Sequence, residues 1–298
     1  MTTVGPDLII AGAARSGTST LAAALREHPA IDPGLTKEPN YFSRHYDRGV
    51  QWYDDLYAPR ADGLLRMDAS TSYTYPQFPE ALDRLVQAAP DGHVVYVVRE
   101  PIARAVSHYQ LRRFTLEIEE APTFGAALVA SPYYTEVSDY RHWIARLQER
   151  YPPDRLLIVP FPALTASSHD VAAVICARLG LEAPSLAPAT VTAHRNTVVE
   201  FRGKGVRSAV KTVRQSRIYP RVRAVVGAKR IRQVRSRIIK SAALPTVAQA
   251  LATCSSAQQA ELAAFGTAVQ DWVHAWLVEQ DGVNGLSWSN QWPGWAAG

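Results

Sequence analysis

The sequence predicts an α/β fold in which a mostly parallel sheet is flanked by helices, followed by a basic helical region toward the C-terminus. Three observations carry this. Short runs that are apolar at every position alternate with segments of helical period, the pattern of a parallel sheet covered on both faces. The first of these runs feeds straight into a glycine-containing loop that opens a helix. At 298 residues the chain has the length of one large domain, read as a single unit over 1–298 with a basic helical insertion at about 201–245.

Taken in order, residues 7–13 (DLIIAGA) read as a short buried strand and 17–28 as a helix that Pro29 ends. A second buried strand is expected at 64–68 (LLRMD), then a helix over 79–89 with Pro79 in its first turn. Residues 93–98 (HVVYVV) are the most strand-like run, being short, β-branched and bounded by Asp91-Gly92 and Pro101. A helix over 102–114, another over 137–150 and a strand at 155–159 (RLLIV) follow. From 206 to 240, apolar residues recur at steps of three and four, as at Val206, Val210 and Val213. This describes an amphipathic helix broken near Pro220. The last helix covers 256–279 and leads into a tryptophan-rich tail.

No apolar run reaches the ~18 residues a membrane span needs. The first apolar run has no basic leader and continues into the glycine loop, so it reads as a strand rather than a signal peptide, with the cytoplasm as default location. Cys176 and Cys254 lie outside any CxxC or metal-ligand spacing and read as small core residues. The net charge of +5 hides an asymmetry: 14 of the 32 Lys and Arg, and none of the 27 Asp and Glu, fall within 201–260. The rest of the chain is acidic, and the positive segment needs its own explanation.

The loop GAARSGTST, residues 12–20, matches the phosphate-loop pattern at every position but one: Thr18 stands where a nucleotide triphosphatase carries lysine. Backbone N–H groups at the helix start favour an anion. Around Gly17 the hydroxyls of Ser16, Thr18, Ser19 and Thr20 add donors, and Arg15 adds a planar fork. With the lysine missing and Asp68 the one contender for a magnesium carboxylate, triphosphate hydrolysis fits poorly. A transferred group with less charge, such as the sulfuryl of a phosphosulfate, needs less cationic help. Arg99 ends the 93–98 strand and Ser107 follows about two helical turns later. Ligands bind at the carboxyl edge of a parallel sheet, so this pair is placed to converge on one phosphate. The competing structural reading pairs Arg99 with Glu100 or another surface acid.

Three segments in register resemble the sulfotransferases that use 3′-phosphoadenylyl sulfate (PAPS), especially the branch containing the heparan sulfate sulfotransferases and their bacterial relatives. They are GAARSGTSTL at 12–21, LTKEPNYFSRHYDRGVQWYDDLY at 35–57 and VYVVREPIARAVSHY at 95–109. The resemblance covers roughly the first 110 residues and is loose in the C-terminal third. It implies a sheet like that of the phosphate-loop kinases and PAPS as donor, with no metal expected. The stretch from Arg15 to Thr20 would hold the 5′-phosphosulfate, and Arg99 with Ser107 the 3′-phosphate. Glu38 would be the catalytic base and Lys37 a cation beside the bridging oxygen. A carboxylate suits the chemistry, because a hydroxyl or amine attacking sulfur must lose its proton. Neighbours in an extended loop point to opposite sides, so Lys37 and Glu38 need not serve one site.

The chain also departs from the family. Arg15 replaces the usual lysine, Asn40 a histidine and Ser43 an acid, and the stretch MDASTSY keeps Asp68 near an expected acid but lacks a lysine. All but the first of these fall on the acceptor side. The acceptor stays open among carbohydrates, lipids and other small metabolites, and the oligomeric state is likewise open. The basic stretch 202–240 admits three readings: a grip on donor or substrate phosphate, contact with an anionic membrane surface, or the solvated face of a helical lid. Its only aromatics, Phe201 at the boundary and Tyr219, make no stacking platform, so nucleic acid is not expected as a partner. Two other functions compete: an ATP-dependent small-molecule kinase and a non-catalytic anion- or membrane-binding module.

Overall fold

Five parallel strands form the central sheet: β1 Leu8–Gly12, β2 Ile31–Asp32, β3 Leu65–Asp68, β4 His93–Val98 and β5 Leu156–Pro160. In space they run β2-β3-β1-β4-β5. The computed structural model describes residues 5–183, 197–201 and 239–292. The continuous apolar runs are explained by two cores, since alternate side chains leave a strand on opposite faces. Ile9, Ala11, Val94, Tyr96, Val98 and Ile158 pack on the helices Ala81–Ala88, Tyr140–Gln148 and Ser256–Asn284. Leu8, Ile10, Val95, Val97, Leu157 and Val159 pack on the helices Thr18–Leu25 and Ser168–Arg178. Cys176 sits in this second core and Cys254 in a third cluster, as the sequence led us to expect. The outer edge of β5 is closed by one side chain. Gln280 accepts from Ile158 N–H and donates to its carbonyl, both at 3.0 Å.

The chain adds β3 on one side of β1 and β4 on the other, so the loops leaving β1 and β4 part at the carboxyl edge. That parting is the crevice in which α/β sheets take ligands.

Several expectations change at their ends. The two-residue strand β2 is too short to show a pattern and was not anticipated. The helix expected over 102–114 is Pro101–Gln110 followed by a π-turn, Leu111–Leu116, which closes on Glu117 at φ 58°. The helix expected over 137–150 spans Tyr140–Gln148, and the last helix runs on to Asn284. The helix expected over 206–240 lies outside the described residues except at Ile239 and Lys240. Those two begin a strand, β7 Ile239–Ala243, paired antiparallel with β6 Thr197–Phe201. Among the described residues, no helix is long and apolar enough to cross a membrane.

Candidate functional site

The loop after β1 turns sharply into its helix, and two glycines make that turn feasible. Gly17 adopts φ 89°, and a Cβ there would lie 2.8 Å from Leu164 Cδ2 and 3.0 Å from Phe161 Cε2. At Gly12 a Cβ would meet Thr74 Oγ1 and Tyr96 Cε2, each at 2.6 Å. No side chain caps the Thr18–Leu25 helix; Thr20 and Leu21 N–H donate back to the Gly17 carbonyl, so an external anion would be met by the N–H groups of Thr18 and Ser19. Thr18 and Ser19 line the cleft into which this helix opens, while Ser16 is fully buried beneath the loop against Tyr140. The cleft has a volume of about 800 Å³. Its walls include Arg15, Gly17, Arg99, Glu38 and Asn40.

Two arginines gather where the loops diverge. Arg15 Nε donates to Ser107 Oγ at 3.0 Å, and an Arg99 guanidinium nitrogen donates to the Arg15 carbonyl at 3.0 Å. Arg99 also lies over the Phe161 ring, 4.8 Å from its centroid. Glu100 does not pair with it structurally as the competing reading had it. Its carboxylate caps the Pro101–Gln110 helix, accepting from the N–H groups of Ile102 and Ala103. Burial, and after it the charge of Arg99, pulls the Arg15 pKa down. Burial also lowers that of Arg99, with Arg104 adding to the effect against Tyr140 and Glu100. Cations held in this way are relieved by a bound anion, so the residues present fit a polyphosphorylated ligand.

Glu38 approaches the cleft on a strained turn. Glu38 has φ 96° and Asn40 φ 52°, both left-handed and neither a glycine. A buried network compensates. Asn40 Nδ2 donates to the Glu38 carbonyl at 2.7 Å, and Asn40 N–H donates to Ser70 Oγ at 2.9 Å. Ser70 Oγ donates to Asp68 Oδ1 at 2.6 Å, and Asp68 Oδ2 accepts from the hydroxyls of Tyr53 and Tyr73 at 2.9 and 2.6 Å. Burial raises the Asp68 pKa and these three hydroxyl donors oppose the shift. Asp68, fully enclosed at the end of β3, is thus the anchor of the turn that presents Glu38. Lys37 Nζ pairs with Glu38 Oε1 at 2.5 Å but lines a neighbouring groove beside the Thr18–Leu25 helix, not the cleft.

Behind the arginines lies a buried layer. Arg104 has no exposed surface and donates to Ser138 Oγ at 2.6 Å, to the Tyr134 carbonyl at 2.7 Å and to the Ala14 carbonyl at 3.3 Å. It also reaches His108 Nδ1 at 3.1 Å. A guanidinium can only donate, so Nδ1 accepts and the neutral ring carries its proton on Nε2, 3.4 Å from Tyr133 Oη. His108 is further surrounded by the rings of Tyr75 and Tyr134. Burial first, then the charges of Arg104, Arg112 and Arg15, hold its pKa well below the ordinary 6.5.

The sign follows from linkage. The folded ring stays neutral while the unfolded chain takes up a proton near pH 6.5, so this contribution is complete above that pH and is lost on acidification toward the folded pKa. Unfolding free energy from urea titrations should therefore fall by up to about 1.4 kcal/mol per pH unit below pH 6.5 through this group. His108→Asn, which keeps an acceptor for Arg104, should lose that share of the slope. Identical slopes in both proteins would exclude His108 as the source.

The structure thus brings six of the sequence-predicted residues to the walls of one cleft: Arg15, Gly17, Thr18, Ser19, Glu38 and Arg99. Ser107 joins through Arg15. Ser16 lies under the loop, Lys37 faces the adjoining groove, and Thr20 is half-buried outside the lining. Sequence reasoning passed over Arg104 and His108, although Glu100, Arg104 and His108 recur at steps of four on one helix. It read Asn40 only as an acceptor-side departure and passed over Ser70, and the bond between them links residues thirty apart.

The comparisons with known proteins agree with this geometry. A family model described as "Sulfotransferase family" matches residues 36–185, just over half of the chain. The chain is 39% identical over 104 residues to the mouse heparan sulfate glucosamine 3-O-sulfotransferase 6, covering 35% of this chain and 30% of that protein. It is 38% identical over 104 residues to the human heparan sulfate glucosamine 3-O-sulfotransferase 3B1, covering 35% of this chain and 26% of that protein. The matched stretch therefore spans less than a third of either relative's length. A crystal structure of a sulfotransferase from Alicyclobacillus acidocaldarius superposes with a TM-score of 0.54 over 74% of this chain and 95% of that one. At 22% identity it speaks for the fold alone. On the family match, which takes in the Glu38 turn, Arg99 and Ser107, the chain belongs to the sulfotransferase family.

Proposed function

We propose that this protein transfers a sulfuryl group from PAPS to a hydroxyl or amine of an acceptor. The observation that carries the reading is a pair of half-buried guanidiniums, Arg15 and Arg99, beside a lysine-free glycine loop in the same cleft as a carboxylate, Glu38. The loop N–H groups with Thr18 and Ser19 take the 5′-phosphosulfate, supported by Gly17, by Ser16 below and by Thr20 in the same turn. Arg99 and Ser107 take the 3′-phosphate. Because its side chain reaches Ser107, Arg15 stands at the junction of the two ends rather than inside the loop. The acceptor oxygen or nitrogen attacks sulfur in line, the bond from sulfur to the bridging oxygen breaks, and the acceptor proton passes to Glu38. Lys37 remains the counter-ion of that carboxylate and supplies positive charge near the reacting groups.

Calorimetry with adenosine 3′,5′-bisphosphate and with ATP tests the reading. The bisphosphate should bind at least tenfold more tightly, and preference for ATP would favour a kinase instead. Arg99→Ala should weaken PAPS by about tenfold or more, the scale of a charged hydrogen bond, and adenosine 5′-phosphosulfate far less. Equal weakening of both would remove Arg99 from the 3′-phosphate.

A further inference from the structure

The lining of the cleft divides into two chemistries. Around Glu38 it is polar, with Asn40, Arg44, Thr71 and Ser72. The turn that follows the Pro101–Gln110 helix instead contributes Leu111, Leu116 and Ile118, and Leu244 joins them just past β7. Leu116 and Ile118 are 52% and 54% exposed, and with Leu111 and Leu244 they make an aliphatic stretch of the cleft wall. The turn is well built: Ile118 N–H and Glu119 N–H both donate to the Arg112 carbonyl, at 3.0 and 3.3 Å, and Arg113 donates back to the Glu119 carbonyl at 3.0 Å. A hydrogen-bonded turn therefore holds bare aliphatic side chains at the wall of the reaction cleft.

Among the described residues, four arginines line the cleft, and Arg15 and Arg99 belong to the donor group. The other two already rest on aromatic rings, Arg44 over Phe78 at 5.0 Å and Arg112 over Tyr133 at 4.8 Å. A polyanionic glycan is read by rows of cations, to which leucine and isoleucine add nothing. A molecule with a polar head and an aliphatic body uses every one of these side chains. We infer that the acceptor is amphipathic: its hydroxyl or amine reaches Glu38 while an aliphatic chain lies along Leu111, Leu116, Ile118 and Leu244. This rests on the sulfuryl-transfer reading above.

The test is calorimetric binding of n-alkyl β-D-glucosides, methyl to octyl and below their micellar concentrations, to protein saturated with adenosine 3′,5′-bisphosphate. A heparan-type oligosaccharide is measured alongside. Affinity should rise about two- to fourfold per methylene, the scale of partial to full burial of that group. The double variant Leu116→Ser/Ile118→Ser, made at exposed positions so that folding is spared, should at least halve that slope while bisphosphate affinity stays within twofold. Octyl glucoside binding no tighter than methyl, an unaltered slope in the variant, or tighter binding of the oligosaccharide would each overturn the inference in a protein that binds bisphosphate. Failure to bind bisphosphate at all would overturn the sulfuryl-transfer reading, and this inference with it.

Discussion

Glu38→Gln is expected to lower the rate of sulfuryl transfer by ~10²-fold or more, the usual scale for a general base. Glutamine preserves the size of the side chain and the backbone network from Asn40 through Ser70 to Asp68, so the turn should keep its left-handed geometry. What it removes is the capacity to accept a proton. The substitution also breaks the ion pair with Lys37, but both side chains are about 40% exposed, and a pair screened by water to that degree adds little stability. The expected signature is a collapsed single-turnover rate with adenosine bisphosphate affinity and thermal stability close to those of the parent. Because the network carries the turn through the Glu38 carbonyl rather than its carboxylate, a fall in stability would point to misfolding of the loop. An unchanged rate would take Glu38 out of the mechanism.

How much of this site the sequence displayed depends on the range of the interactions involved. The strands could be read because burial on both faces leaves a local trace, a run of apolar residues such as His93–Val98, whose bounds the structure returns unchanged. The two-residue β2 carries no such trace. The antiparallel pair β6 and β7 joins Thr197 to Ala243, and pairing at that separation leaves nothing in a local window; at Ile239 and Lys240 the periodicity suggested helix instead. The glycine loop was legible because Gly17 must be glycine, and Arg99 and Ser107 because they follow the end of a strand, Arg99 directly and Ser107 in the next helix. Glu38 was placed by resemblance. Its presentation was invisible, since the left-handed turn at Glu38 and Asn40 contains no glycine and is upheld by Ser70 and Asp68 on another strand. The reach of Arg15 to Ser107 was likewise a tertiary fact: chain order assigns Arg15 to the loop, and only folding shows its guanidinium crossing to the next helix.

Arg104→Ala should destabilise the fold by about 3–5 kcal/mol, from the lost volume and the acceptors left unpaired. The side chain is fully buried, and truncation strands the carbonyls of Tyr134 and Ala14 in a place water does not reach and leaves Ser138 Oγ only its bond to the Pro101 carbonyl. At the usual scaling for a protein of this size the melting temperature would fall by roughly 10 °C. No carboxylate pairs directly with Arg104 among the described residues, so its charge is held by hydroxyl, carbonyl and imidazole dipoles, and burial lowers its pKa in consequence. That arrangement is costly for a residue serving stability alone. It becomes intelligible through the Ala14 carbonyl, because Ala14 immediately precedes Arg15 in the glycine loop. The same guanidinium thus sets the backbone from which Arg15 reaches Ser107. The variant should therefore weaken adenosine bisphosphate binding, measured at a temperature where the protein remains folded, although Arg104 itself does not line the cleft. Arg104→Met fills the volume without the donors, and it should recover part of the stability and none of the affinity. Recovery of both would mean that packing, and not the bond to the loop, is what this arginine provides.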